Sequence, residues 1–208
     1  MARLSAKLFI VLFGLFSLSM GAIHALPHRD DDLRAVLLPD DGCAEDERYT
    51  CWLGVRVGQT TAADAVGLLM RHPWVADVLV NQALRRNMAA AGAIRWHWNG
   101  QQPARLSGVG ELYASGGVIR TITLQTEIAV GDLWLYLGQP QQGVFSFLRG
   151  SMLHHGYYAD TGLQVLSQID CPTRLSAFWT ARVRLEVRPS VLFNGDYQPL
   201  GWLPYRSC

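Results

Sequence analysis

Read for apolar and polar positions, the chain changes its period several times. Residues 8–23 carry no charge and are rich in Leu, Phe, Val and Ile, without the polar stripe of a helix on a globular surface. Residues 28–50 are acidic, contain Pro39, Asp40, Asp41 and Gly42, and predict a tether. Helical spacing then begins: Ala65, Leu68 and Leu69 follow Thr60 and Thr61, either of which can cap a helix with Asp64 in its first turn. Pro73 marks its end. Val80, Leu84 and Met88 recur at four-residue intervals and predict a second helix over residues 75–90, stopped near Gly92.

From residue 94 the period becomes two. Ile94, Trp96 and Trp98 alternate with Arg95, His97 and Asn99, and Asn99-Gly100 is a turn pair. Residues 106–114 and 118–127 flank Gly116-Gly117 and predict a hairpin. Val130 to Pro140 predicts a short helix stopped by Gly138 and Pro140, and strands follow at 144–148, 153–158, 163–169 and 181–187. In the last of these, Val183, Leu185 and Val187 alternate with Arg182, Arg184 and Glu186, as a sheet with one wet face requires. The pattern predicts an α+β fold of two helix-plus-antiparallel-sheet repeats in two layers, preceded by an N-terminal apolar helix. Its expected parts are a leader (1–27), an acidic tether (28–50), a first repeat (51–127), a second repeat (128–188) and an irregular aromatic tail (189–208) packed across the body.

The leader sets the expected compartment. Arg3 and Lys7 precede the apolar run and the acidic cluster Asp30-Asp31-Asp32 follows it, which orients the body out of the cytoplasm. The run is close to the lower limit of a spanning helix, about 17 residues. Both a membrane anchor and a cleaved signal ending near Ala25 fit, and no lipoprotein cysteine follows. The even set Cys43, Cys51, Cys171 and Cys208 then reads as disulfides. Of three pairings, Cys43–Cys51 closes a short loop and Cys171–Cys208 would tie the C-terminus back. A zinc site would need a C-x-x-C pair or a histidine at metal spacing, and neither is present.

Charge says little about partners. The chain has 18 basic and 17 acidic residues, and no basic stripe points to nucleic acid. Lys7 is the only lysine, so the body carries its positive charge on arginine.

Two segments carry a family resemblance. Cys51-Trp52-Leu53-Gly54-Val55-Arg56-Val57-Gly58-Gln59-Thr60-Thr61 and the run Val130 to Pro140 resemble uncharacterised exported bacterial proteins of the Chloroflexota type. Those proteins show a C-W-x-G-I-x-P-G-x-T-T start and a later L-G-D-x-x-x-x-x-G-x-P. This chain has Val57 in place of the first pattern's Pro and Val130 in place of the second's Leu. More distantly, the arrangement is similar to the SmpA/BamE outer-membrane-assembly lipoproteins and to the two-repeat beta-lactamase-inhibitor-protein fold. The resemblance implies a two-layer α+β fold and a binding rather than catalytic habit; fold likeness alone assigns no function.

The chemistry-bearing residues do not form a motif. His154 and His155 are adjacent on a strand and face opposite ways, so they cannot chelate one ion together. His72 ends a helix, and His97 lies opposite the Trp96/Trp98 face; a zinc site from His72, His97 and one of the pair would need long-range proximity. Ser151 and Ser107 lack the G-x-S-x-G elbow, and nothing in their spacing brings Glu111 to Asp132. Trp96 and Trp98 could stack a sugar, but such a stripe more often forms core. No catalytic, metal or cofactor site is predicted. The expectation is a non-enzymatic envelope or secreted protein with a protein partner and a membrane attachment through its leader. The alternatives are an extracytoplasmic hydrolase or metal-dependent enzyme using the histidines, and an inhibitor of an extracellular enzyme.

Overall fold

The computed structural model describes residues 13, 30–37, 43, 51–159, 161–171 and 174–188. The chain divides into two compact units, residues 1–31 and 32–208. Apart from Phe13, the apolar run 8–23 lies outside the described residues, as does the tail 189–208. Among the described residues no helix is long and apolar enough to cross a membrane.

The second unit is α+β, built on one large antiparallel sheet. Its elements are α1 (Asp30–Leu37, entered from the first unit), β1 (Cys51–Trp52), β2 (Val55–Arg56), α2 (Ala62–Arg71), β3 (Val75–Val80), α3 (Gln82–Arg86), β4 (Gly92–Trp98), β5 (Leu106–Ser115), β6 (Val118–Ala129), α4 (Val130–Leu137), β7 (Gln142–Leu148), β8 (Ser151–Tyr158), β9 (Leu163–Asp170), α5 (Leu175–Thr180) and β10 (Arg182–Val187). Eight strands form one sheet in the order β3-β4-β5-β6-β10-β9-β8-β7, and every neighbouring pair is antiparallel. The strand order runs inward from both edges, so β6 and β10 meet at the centre. At the β5–β6 hairpin, Gly116 (φ 64°) and Gly117 (φ 80°) supply the left-handed backbone that a tight turn needs.

One face of this sheet is the core. Ile94 and Trp96 of β4, Leu112 of β5, Ile122 and Leu124 of β6, Val183 and Leu185 of β10 and Val165 of β9 are all buried on it. Buried Ala65 and Leu69 of α2 and Leu133 of α4 join the same apolar cluster. Thr61 caps α2 through Oγ1, which accepts from the Asp64 amide at 3.1 Å. The turn before it is stitched to β6: the Gly58 amide donates to the Ile119 carbonyl at 2.7 Å and the Ala62 amide to the Gly117 carbonyl at 2.9 Å.

Trp96 is the centre of the first-half core. Its indole lies against Gly110, directly opposite on β5, where a Cβ would collide with the ring. Trp52 and Trp98 pack around it, with ring centroids 6.1 and 5.4 Å away. The tryptophan pair is therefore core and not a sugar platform.

Three elements depart from the sequence reading. Residues 75–80 form a strand, not the start of a helix: Val78 and Val80 pair with Trp96 and Ile94, and branched side chains favour the pleated surface. Asn81 then caps the five-residue α3, with Oδ1 accepting from the Ala83 amide at 2.8 Å. Within the stretch expected to be a tether, α1 buries Leu33, Val36 and Leu37 in the core, and the Trp52 indole donates to the Val36 carbonyl at 3.0 Å. The short α5 interrupts β9 and β10 and buries Phe178.

Cys43 and Cys51 form a disulfide, as the short loop predicted. Cys171 is disulfide-bonded too; its expected partner Cys208 lies outside the described residues. The Cys43–Cys51 link constrains a short loop in the unfolded chain, so Cys51→Ser is expected to cost about 2–3 kcal/mol. Urea unfolding of the variant against the parent chain checks this, and a loss below about 1 kcal/mol would contradict it.

Candidate interaction face

The other face of the sheet is polar and, among the described residues, carries no helix. A line of directly opposed residues crosses all eight strands: Leu79, Arg95, Glu111, Thr123, Glu186, Gln164, Tyr157 and Gln142. The same alternation that buries Ile94, Trp96 and Leu112 points these side chains the other way. Charges of both signs are interleaved across it. Arg95 Nε donates to Glu111 Oε2 at 2.5 Å, Asp77 and His97 meet at 2.7 Å, and Arg182 Nε donates to Glu127 Oε2 at 2.7 Å. Arg184 and Arg188 flank Glu186 at 3.6 and 3.4 Å.

The face is graded in depth. Over β3 to β5 it is open: the side chains of Arg95 and His97 are 60% and 48% exposed, and the apolar groups of Leu79 and Tyr113 are exposed among them. Over β8 and β9 it closes, with Tyr157 and Gln164 buried. Exposed ion pairs of this kind contribute about 0–1 kcal/mol each. Their larger effect is the pattern of charge presented to anything that docks.

The histidines are dispersed. His97 stands on the open face of β4 beside Asp77, and the next residue across, Val109, is no nucleophile. His154 lies on the core face of β8, with four strands between it and β4 in the sheet order. Five strand spacings separate β4 from β8, roughly 24 Å. His155 points to the open side, with Gln164 Nε2 3.4 Å from its Nδ1, and the His72 Nδ1 accepts from the Trp74 amide at 3.2 Å. A zinc site from these residues is not assembled, and among the described residues no group of three or more His, Cys, Asp or Glu could hold a metal ion.

The carboxylates and serines are dispersed as well. Glu111 is held by Arg95, whereas Asp132, in the first turn of α4, accepts from Arg105 at 2.6 Å. Ser107 sits opposite Gln125 on β6, and Ser151 Oγ accepts from Gln168 at 3.3 Å.

One Ser–His contact has no sequence signature. His154 Nδ1 lies 3.2 Å from Ser167 Oγ, because β8 and β9 place the two residues opposite one another. Both are buried, and the imidazole stacks on Phe145 at 4.8 Å and meets the Phe178 edge at 5.3 Å. Burial, with a smaller contribution from His155, lowers the His154 pKa to about 4. A base so weak and so enclosed cannot activate a serine for an external substrate at neutral pH.

A small apolar cavity of about 10 Å³ lies on the core side between Val36, Trp52, Leu124 and Leu185. Among the described residues no charged side chain lines it, and these residues offer no anchor for orienting a polar substrate. No protein-family model, no curated protein and no solved structure matches the chain.

Proposed function

We propose that the chain is an extracytoplasmic protein-binding module that works without catalysis, and that its partner docks on the open sheet face over β3 to β6. The carrying observation is the interleaved charge of that face around exposed Tyr113 and Leu79. Nucleic acid would call for a uniformly basic surface, and a small molecule for a concave one. A flat lattice of both signs around an aromatic suits a folded protein surface. Export is supported by Arg3 and Lys7 ahead of the apolar run, which would anchor the body or be cleaved, and by the Cys43–Cys51 bridge.

The finer architecture we propose is a tandem duplication. In its support, strands β3 to β6 and β7 to β10 each run in chain order from an edge to the centre. The helix ahead of each set is also held by that set's last strand or its approach. The Ala62 amide bonds the β5–β6 turn and the Val130 amide bonds the Ala181 carbonyl, at 2.9 Å each.

A charge swap tests the binding role separately from stability. The double variant Arg95→Glu/Glu111→Arg keeps a cross-strand pair while inverting its field. Folding stability should stay within about 0.5 kcal/mol of the parent. Capture of the partner that the parent retains from envelope extract should fall by roughly tenfold or more. Undiminished capture by the swapped variant would reject this face.

A further inference from the structure

The two edges of the sheet are finished differently. On β3 the pairing with β4 is broken by a register shift between Val75 and Asp77, and Asp77 puts a charge on the edge. These are the devices that keep an edge from recruiting another strand. The opposite edge, β7, has neither. Its seven residues, Gln-Gly-Val-Phe-Ser-Phe-Leu, include no charge and no proline, and they pair with β8 without a shift. Among the described residues no strand lies on its other side. Val144, Phe147 and Leu148 are 45%, 45% and 54% exposed, so both faces of this edge offer apolar groups to solvent.

We propose that β7 is a homodimerisation edge, pairing antiparallel with β7 of a second copy about a two-fold axis at Ser146. An isologous contact needs a strand that complements itself when reversed. The run Val144-Phe145-Ser146-Phe147-Leu148 does so, because it is nearly the same read in either direction. With Ser146 opposite Ser146, Val144 of each copy lies against Leu148 of the other, an apolar pair on the open face. Phe145 lies against Phe147 on the core face, and such aromatic cross-strand pairs are favourable. Arg149, the first charge after the strand, falls opposite Gly143, so no like charges meet. The protected β3 edge then stops assembly at two copies instead of allowing a filament. This inference is independent of what binds the open face.

Cysteine trapping tests it on the full chain, in mild detergent if the apolar segment is retained. Ser146→Cys should give a covalent dimer under air oxidation, whereas Leu148→Cys, whose counterpart lies four residues along the partner strand, should not. Ser146→Lys puts a charge on the axis and should raise the dimer midpoint concentration by roughly tenfold or more in sedimentation velocity. Its circular dichroism should match the parent. A parent chain that stays monomeric overturns the proposal. So does an equal cross-linking yield at residues 146 and 148, a dimer unaffected by Ser146→Lys, or open-ended polymers in place of a dimer.

Discussion

Trp96→Ala is expected to destabilise the fold by about 3–5 kcal/mol. The indole is fully buried, it fills the space that Gly110 leaves open on the neighbouring strand, and Trp52 and Trp98 pack on it. Truncation removes the transfer free energy of the ring and leaves a void that Gly110 cannot fill. A domain with a total stability of about 5–15 kcal/mol would keep little of it. Urea unfolding followed by far-ultraviolet circular dichroism should show a lower midpoint with an unchanged slope. A loss below about 1 kcal/mol would mean that the tryptophan cluster is not the centre of the first-half core.

The second large effect is acid sensitivity, and it comes from the other half of the molecule. His154 titrates at about 4 in the folded chain because burial disfavours its charged form, against about 6.5 when unfolded. Between these values the unfolded chain binds the extra proton. Stability is therefore flat above pH 6.5 and falls as the pH drops from there toward 4. The full difference is about 3 kcal/mol. His155 is lowered as well, chiefly by its own burial, and acts in the same direction. Most carboxylates titrate below about pH 5, so the loss between 6.5 and 5 reports mainly on these histidines. Replacing the imidazole by an amide, His154→Gln, removes the titration and should flatten most of that slope. An unchanged slope in the variant would place the acid sensitivity elsewhere.

The two halves of the core were unequally legible in the sequence. Ile94, Trp96 and Trp98 announce a buried strand face by simple alternation, and Gly116-Gly117 announces the turn. His154 and Ser167 are 13 residues apart, and nothing local says that they face each other. That contact depends on the register of β8 against β9. Helix α1 was hidden because Leu33, Val36 and Leu37 lie within an acidic stretch, and their partner Trp52 comes after the disulfide loop. Residues 75–90 misled by period: Val80, Leu84 and Met88 have helical spacing, but Val80 ends β3, Leu84 is buried in α3 and Met88 is exposed. The branched residues Val75, Val78 and Val80 were the better guide.

The open sheet face was half legible. Arg182, Arg184 and Glu186 show a wet strand face on their own. The sequence does not say that β10 inserts beside β6, which brings Glu186 opposite Thr123 and carries the polar line from one half into the other. Sheet order is a long-range property, set by how the two meanders meet, and no local pattern encodes it.

Tyr113, exposed on the open face of β5, and Met70, exposed on α2, give the sharpest comparison for the binding role. A photo-cross-linking amino acid is placed at each position in turn in the full chain, in the cells that make it, and irradiated. A discrete adduct with one other protein from position 113, and none from position 70, is the predicted result. No adduct from position 113, or the same products from both positions, would contradict the open sheet face as the docking surface.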